Sequence, residues 1–192
     1  MTLRLGVAVS GRGSNLRNLV ERGFNVVAVA TNRPSCGGAA FARERSIPLG
    51  ELSQKQFESS EARDGAMRDF FRSRGVELVV DAGYDRVHSR AFLDAFEGRI
   101  INVHPSLLPN FAGGLDAVER ALESGLRFTG ATVHVVTADL DAGPILVQES
   151  VPILEGDTVE SLMQRVHGVE HEILPRAIKL MEERIAKSPA VG

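Results

Sequence analysis

The sequence has a single cysteine, Cys36, and no tryptophan among its 192 residues. One cysteine excludes an intrachain disulfide, which is consistent with a reducing compartment. No apolar stretch reaches the roughly 18 residues that a membrane-spanning helix needs. The short apolar start of the chain runs into a Gly-rich turn and lacks the pattern of a signal peptide. We therefore expect a cytoplasmic protein that does not associate with a membrane.

Excess positive charge is also lacking, because the formal net charge is -3 and the pI is about 6.0. A broad nucleic-acid interface needs clustered Lys and Arg side chains, so we expect no nucleic-acid partner. A small local site for an anion is compatible with this charge. The length fits one domain, which we place at residues 1–187, followed by a loose tail at 188–192.

Apolar, strand-like segments alternate with helix-like segments through most of the chain. This alternation predicts a single-domain α/β fold, in which helices flank a mostly parallel twisted sheet. Two longer strand-like segments near the C-terminus predict an antiparallel extension of that sheet. We expect strands at 3–9, 25–31, 47–49, 78–82, 99–103, 129–136 and 144–152. We expect helices at 14–22, 37–45, 60–74 and 89–96, and a final one that ends near Lys187 and is capped by Asp157 with Glu160 as its capping-box partner.

The turn at residues 10–15, Ser-Gly-Arg-Gly-Ser-Asn, follows the first strand and opens the first helix. Helix N-termini at the carboxyl ends of parallel strands favour anions, and glycines allow a close approach. Leu16 stands where a dinucleotide-binding loop has its third glycine, and no Lys-Ser/Thr pair follows. The turn therefore predicts either a phosphate-binding loop or a plain Gly-rich connection.

Asn102 and His104 lie at the carboxyl end of a predicted strand, two residues apart, and so share one of its faces. An amide donor can stabilise an oxyanion and an imidazole can move protons near neutral pH, which suits acyl chemistry. The same residues also fit a capping asparagine and a core histidine. A partner carboxylate is available in a later turn as Asp139 or Asp141, and spacing alone does not choose between them.

Several segments taken together resemble the phosphoribosylglycinamide formyltransferases, folate-dependent enzymes of purine synthesis, over about residues 3 to 183. They are SGRGSN at 10–15, AGYDRV at 82–87, INVHPSLLP at 101–109, GATVHVV at 130–136 and DAGPIL at 141–146. The resemblance implies a Rossmann-like formyltransferase fold. It also implies formyl transfer from 10-formyltetrahydrofolate to glycinamide ribonucleotide by a monomer or homodimer that needs no metal.

The resemblance further implies roles for single residues. Asn102, His104 and Asp141 match the catalytic trio, and Asp141 is preferred to Asp139 because it directly precedes the Ala-Gly-Pro turn. The substrate phosphate is expected at Gly13, Ser14 and Asn15, and the ribose hydroxyls at Glu170. The folate is expected at Arg86, Val87 and the backbone near Leu140 and Asp141, with His134 and Gly83 near the site.

Three places depart from the family pattern. Asp85 stands where relatives usually carry Met, so we expect a carboxylate that is either solvated at the rim of the folate site or weakens folate binding. Residues 111–118 replace the usual F-x-G-x-x-A-H segment with one that is one residue longer and contains Gly113 and Gly114. Ser60 stands where an Arg often precedes the helix. These departures bear on substrate detail more than on the class of reaction.

Three other functions use a similar pattern. Another folate-dependent formyltransferase, acting on methionyl-tRNA or a sugar nucleotide, usually carries an extra C-terminal domain, and a tRNA substrate favours a basic surface. A formyltetrahydrofolate deformylase usually carries an N-terminal regulatory domain. We expect none of these features here. A non-catalytic ligand-binding module on the same fold is the third alternative.

Overall fold

The structure is a computed structural model that describes residues 2–187, so the expected loose tail at 188–192 lies outside the described residues. The strands are β1 (Leu5–Val9), β2 (Val26–Thr31), β3 (Leu49–Glu51), β4 (Leu78–Asp81), β5 (Ile100–His104), β6 (Phe128–Val135) and β7 (Ile145–Pro152). The helices are α1 (Ser14–Glu21), α2 (Gly37–Glu44), α3 (Ser60–Ser73), α4 (Arg90–Ala95), α5 (Ala117–Glu123) and α6 (Val159–Lys187), with a short 3-10 turn at Gln54–Gln56.

Among the described residues the sheet has seven strands, and the chain divides into two compact units, 2–102 and 103–187. In the N-terminal unit the strand order is β3-β2-β1-β4-β5 and every pairing is parallel. In the C-terminal unit β6 and β7 pair antiparallel. The predicted fold class, a mostly parallel α/β sheet with an antiparallel C-terminal extension, is confirmed.

The central strands of the N-terminal unit are buried on both faces. All residues of β1, LGVAV, and of β4, LVVD, are buried. Continuous burial rather than alternation is what a parallel sheet covered by helices on both faces requires. Aromatic side chains such as Phe41, Phe71 and Phe92 are fully buried beside these strands. The polar loops that follow the strands are therefore the part of this unit that is available for chemistry.

In the C-terminal unit, α6 packs on the β6–β7 pair. Its buried face includes Leu162, Val166, Ile173, Ile178 and Met181, spaced as one side of a helix requires. Among the residues that the structure describes, no helix is both long and apolar enough to cross a membrane.

The predicted cap of α6 is wrong by one residue. The Ser161 amide donates to Thr158 Oγ1 at 3.2 Å, and the Thr158 amide donates to Ser161 Oγ at 3.0 Å. This reciprocal pair is a capping box with Thr158 as its first member. Asp157 instead accepts from the Leu154 amide at 2.7 Å and forms an ion pair with Arg165. The carboxylate therefore ties the turn at Leu154 to the side chains of Ser161 and Arg165 on α6, while Thr158 caps the helix.

Two further elements differ from expectation. The third strand starts at Leu49 rather than 47, because Ser46 turns the chain with φ of 54° and Pro48 has no amide hydrogen to donate. Helix α5 was not predicted, although its sequence AVERALE consists largely of strong helix formers. The glycines before it obscured the signal.

A buried ion pair links β4 to the segment that follows it. His88 Nε2 lies 2.9 Å from Asp81 Oδ2, and both side chains are less than 10% exposed. The imidazole stacks between Tyr84 and Phe92, with ring centroids 5.3 Å and 4.3 Å away. Burial lowers the pKa of His88, but the neighbouring carboxylate of Asp81 outweighs it, so the pKa lies above the ordinary 6.5.

The folded protein thus binds the His88 proton more tightly than the unfolded chain does. The resulting stabilisation is fully present below about pH 6.5 and is lost as pH rises through the raised pKa of the folded state. Urea unfolding between about pH 5 and about pH 9 should show this decline. His88→Leu should cost about 3 kcal/mol because Asp81 is left buried without its partner, whereas the double change Asp81→Leu/His88→Leu should recover most of that loss and flatten the profile. A double variant with the wild-type pH profile would contradict this assignment.

Candidate active site

Two histidines and one aspartate converge in the C-terminal unit. His104 ends β5, His134 lies in β6, and Asp141 lies in the turn before β7. Asp141 Oδ2 is 3.6 Å from His104 Nδ1, and Asp141 Oδ1 is 3.5 Å from His134 Nε2. All three side chains are less than 10% exposed. One carboxylate therefore faces two imidazoles in a largely dry environment.

The turn that carries Asp141 is shaped by its backbone. Asp141 adopts the left-handed region with φ of 52°. Gly143 packs so closely on β6 that an added Cβ would lie 1.8 Å from the carbonyl oxygen of Val135. No other residue fits there, so the turn is held down on the strand and aims Asp141 at His134. Asp139, the alternative that spacing left open, is exposed in the same turn.

A second loop bonds to both partners of the site. The carbonyl oxygen of Phe111 lies 3.1 Å from His104 Nε2, and the Gly113 amide donates to Asp141 Oδ2 at 2.8 Å. Phe111, Gly113 and Gly114 all have positive φ, of 57°, 68° and 93°. This tight loop presents one carbonyl and one amide at the positions that the catalytic candidates need.

The two principal groups rest in different charge states. The bond from His134 and that from Gly113 lower the pKa of Asp141, which is therefore ionised at neutral pH. Burial lowers the pKa of His104 and outweighs the attraction of Asp141. His104 is therefore a neutral imidazole beside an ionised carboxylate at neutral pH. Since the Nε2 hydrogen of a neutral ring faces the Phe111 carbonyl, Nδ1 is left as the proton acceptor.

Asn102 lies two residues before His104 on β5 and is half-buried. Successive strand residues point to opposite faces, so Asn102 and His104 share a face of the strand. A side-chain amide there can donate hydrogen bonds to an oxyanion that forms beside the imidazole.

The turn at 10–15 is a tight backbone contact in the N-terminal unit. Gly13 is left-handed, with φ of 77°, and an added Cβ would lie 2.5 Å from the Cα of Gly38. The Gly38 amide donates to the Gly11 carbonyl at 3.0 Å. Helix α1 then begins at Ser14. Its N-cap residue is Gly13, which has no side chain to cap the helix, and its first turn contains no acidic residue. This geometry suits an anion, and binding of a phosphate at Gly13, Ser14 and Asn15 stays a prediction.

Asp85 is not the solvated carboxylate that was expected. Its side chain is only 7% exposed and forms an ion pair with Arg33. Asn32 Nδ2 donates to its carboxylate at 2.7 Å, while the Asp85 amide donates to Ser10 Oγ at 3.0 Å. Arg86 Nε lies 3.6 Å from the same carboxylate. Asp85 therefore binds the ends of β1 and β2 to the loop after β4, so the expectation of a solvated carboxylate is wrong, and weakened folate binding stays a prediction.

The remaining predicted residues occupy varied surroundings. Glu170 on α6 is 5% exposed. Val87 and Leu140 are apolar but 65% and 58% exposed, so each offers uncovered surface within its own unit. Gly83 has φ of 74° and its carbonyl accepts from the Ser10 amide at 3.0 Å. Among residues 2–187, no group of three or more His, Cys, Asp or Glu is arranged to hold a metal ion.

The sequence-based prediction missed Arg120 on α5, which reaches the loop that contacts His104. Its Nη2 donates to the carbonyls of Phe111 at 2.8 Å and Gly113 at 2.5 Å. The helix-forming residues around Arg120 could have indicated the helix, but nothing in the local pattern indicates the backbone partners of Arg120.

Residues 3–178 match the family described as Formyl transferase. The chain belongs to this family. Phosphoribosylglycinamide formyltransferase of Haemophilus influenzae is 34% identical over 186 residues, which cover 94% of this chain and 87% of that protein.

Longer relatives and solved structures agree with this placement. The trifunctional purine biosynthetic protein adenosine-3 of Chironomus tentans is 39% identical over 186 residues, and the chain spans 14% of its length. The crystal structure of glycinamide ribonucleotide transformylase 1 from Symbiobacterium toebii superposes with a TM-score of 0.90 at 41% identity, covering 95% of this chain and 88% of that one. The phosphoribosylglycinamide formyltransferase structure from Bacillus halodurans gives 0.88 at 34% identity, covering 93% and 94%.

The buried position of Asp85 leads to a stability prediction. Asp85→Ala should lower the free energy of unfolding by about 2 kcal/mol, because the buried amide of Asn32 loses its acceptor. Asp94→Ala is the matched control, since Asp94 pairs with Arg90 at an exposed site and such pairs contribute only about 0.5 kcal/mol. Urea denaturation measures both. Equal and small losses of unfolding free energy in the two variants would indicate that Asp85 is solvated rather than buried.

Proposed function

We propose that the chain transfers the formyl group of 10-formyltetrahydrofolate to the amino group of glycinamide ribonucleotide, a step of purine biosynthesis. The observation that carries the proposal is the buried contact of Asp141 with His104 and His134, together with Asn102 on the same strand face as His104. The family supplies the class of reaction, and a relative named for this activity matches nearly the full chain. We expect the reaction to run in the cytoplasm, in a monomer or homodimer.

The proposal assigns the substrates to the residues already described. The ribonucleotide phosphate would bind the amides and side chains at Gly13, Ser14 and Asn15, where the left-handed glycine opens α1. Its ribose hydroxyls would bind the carboxylate of Glu170. The folate would use Arg86 and Val87 and the backbone near Leu140 and Asp141. The exposed apolar side chains of Val87 and Leu140 support contact with an aromatic ring system.

The chemistry follows from the resting charges. The nitrogen lone pair of the substrate amine attacks the formyl carbon, and the carbonyl electron pair moves to oxygen. The amide of Asn102 stabilises that oxyanion. Neutral His104 accepts the proton that the amine releases, directly or through one water, and the ionised Asp141 stabilises the imidazolium so formed.

The second half of the reaction reverses the proton movement. The oxyanion electron pair reforms the carbonyl as the bond from carbon to the folate nitrogen breaks. His104 returns its proton to that nitrogen, which leaves tetrahydrofolate and the formylated amine. The imidazole ends neutral, as it began.

Absorbance of the folate product tests the reaction and its acceptor. Turnover that requires glycinamide ribonucleotide supports the proposal, whereas equal turnover without it indicates hydrolysis by a deformylase. Turnover with methionyl-tRNA or a sugar nucleotide alone indicates another formyltransferase. Absence of turnover with every acceptor would indicate a non-catalytic ligand-binding module.

Replacing Asp141 tests the trio directly. Asp141→Asn removes the charge that stabilises the imidazolium, so kcat should fall by about a thousandfold while both substrates still bind. Asp139→Asn, an exposed neighbour in the same turn, should keep kcat within about twofold of wild type. Steady-state kinetics with ligand-binding titrations measure both effects. Near-normal turnover of Asp141→Asn would remove this aspartate from the mechanism.

The pH dependence tests the charge state of His104. A base must be deprotonated to accept a proton, so kcat/KM should fall as pH decreases through the lowered pKa of His104, below 6.5. Activity should therefore be on its plateau at neutral pH with respect to this group. A profile that instead loses activity as pH rises through that region would assign the cationic form of His104 to the reaction.

A further inference from the structure

Arg120 contacts three successive backbone carbonyls of the loop beside the site. Its Nη2 lies 2.8 Å from the Phe111 carbonyl oxygen, 3.4 Å from that of Ala112 and 2.5 Å from that of Gly113. Its Nε lies 3.1 Å from Asp116 Oδ1, and its guanidinium carbon lies 5.8 Å from the ring centroid of Phe111. Successive backbone carbonyls are thereby gathered around one cation.

The carbonyl and the amide that touch the catalytic groups belong to this same loop. Phe111 offers its carbonyl to both Arg120 and the Nε2 of His104, the latter at 3.1 Å. Gly113 is held by Arg120 through its carbonyl and donates its amide to Asp141 at 2.8 Å. Arg120 bonds to the two loop residues that contact His104 and Asp141. It therefore acts on these two side chains through the loop.

The loop needs such a partner because its backbone is unfavourable on its own. Phe111 adopts the left-handed region that side chains with a Cβ avoid, and two glycines with positive φ follow at Gly113 and Gly114. Carbonyls that point the same way also repel one another. The guanidinium holds them through Nη2 on a rigid plane that Nε fixes against Asp116, whereas the ammonium of Lys lies on a flexible stem without that second anchor.

We propose that Arg120 is a positioning residue that fixes the Phe111 carbonyl against His104 Nε2 and the Gly113 amide against Asp141. His104 is thereby held as the Nε2–H tautomer, with Nδ1 turned toward the carboxylate and open to accept a proton. Without Arg120, the carboxylate 3.6 Å from Nδ1 becomes the better acceptor, and the Nδ1–H tautomer gains population. That tautomer cannot take a proton at Nδ1.

The tautomer can be measured without any assay of activity. Imidazole ¹⁵N spectra of the whole chain, with His104→Gln to assign the signal, should show one Nε2–H form for neutral His104 in wild type. Arg120→Ala should shift the signal toward the Nδ1–H form, and Arg120→Lys should lie between the two. An unchanged His104 spectrum in Arg120→Ala would overturn the proposal.

The kinetic part rests on the proposed function. Arg120→Ala should lower kcat by about 10- to 100-fold, as small misplacements of catalytic groups do, with KM within about twofold. Added guanidinium ion should restore part of the loss. Arg90→Ala is the matched control, because Arg90 also pairs with an aspartate four residues away but at an exposed site. A kcat for Arg120→Ala within about twofold of wild type, or a loss equal to that of Arg90→Ala, would overturn the proposal.

Failure of the two proposals can be told apart. If wild type transfers no formyl group, the proposed function fails and the ¹⁵N comparison alone decides the role of Arg120. If Arg120→Ala does not fold, as judged by its unfolding transition, Arg120→Gln replaces it, because the side chain of Gln is shorter and carries no positive charge to gather the carbonyls. A Gln variant with the wild-type tautomer and kcat would overturn the proposal.

Discussion

The candidate site depends on the contacts of one group, the carboxylate of Asp141. It faces His104 on one oxygen and His134 on the other, and it accepts from the Gly113 amide. A buried charge is costly unless such partners surround it. The left-handed backbone at Asp141 and the close packing of Gly143 on β6 hold the carboxylate between the two histidines. Loop, turn and strand are therefore tied to one ionised group.

Burial disfavours the charged form of both partners of this contact, but only His104 becomes neutral. It disfavours the cation of His104 more than Asp141 favours it, while hydrogen bonds keep Asp141 ionised despite its burial. The result at rest is an anion beside a neutral base, which is an arrangement that can receive a proton and stabilise it afterwards. A fully solvated pair would hold the histidine near its ordinary pKa and gain less from the charge. In the proposed reaction, burial keeps His104 neutral so that it can accept a proton, and the charge of Asp141 then stabilises the imidazolium.

Local pattern predicted the parts of the structure that local physics decides. The strand ends placed Asn102 and His104 on one face, and the alternation of segments predicted the sheet. Local pattern did not predict contacts between residues that are distant in the sequence. Asp85 is buried because Asn32, 53 residues earlier, offers it a donor, and no neighbouring residue signals that partner. Asp139 and Asp141 look equivalent in sequence, and only the family pattern selected the one that the fold turns inward.

The loop at 111–116, which lies in a segment expected to depart from the family pattern, is also the one that Arg120 holds. The adjacent glycines Gly113 and Gly114 increase the freedom that the loop at 111–116 loses when it is ordered. A loop that must place a carbonyl on His104 and an amide on Asp141 cannot keep that freedom. The cation on α5 offsets it, since one guanidinium bonds to the carbonyls at both ends of the short run from Phe111 to Gly113. The departure and the arginine are best understood as a pair, in which the helix that the sequence obscured supplies the order that the loop lacks.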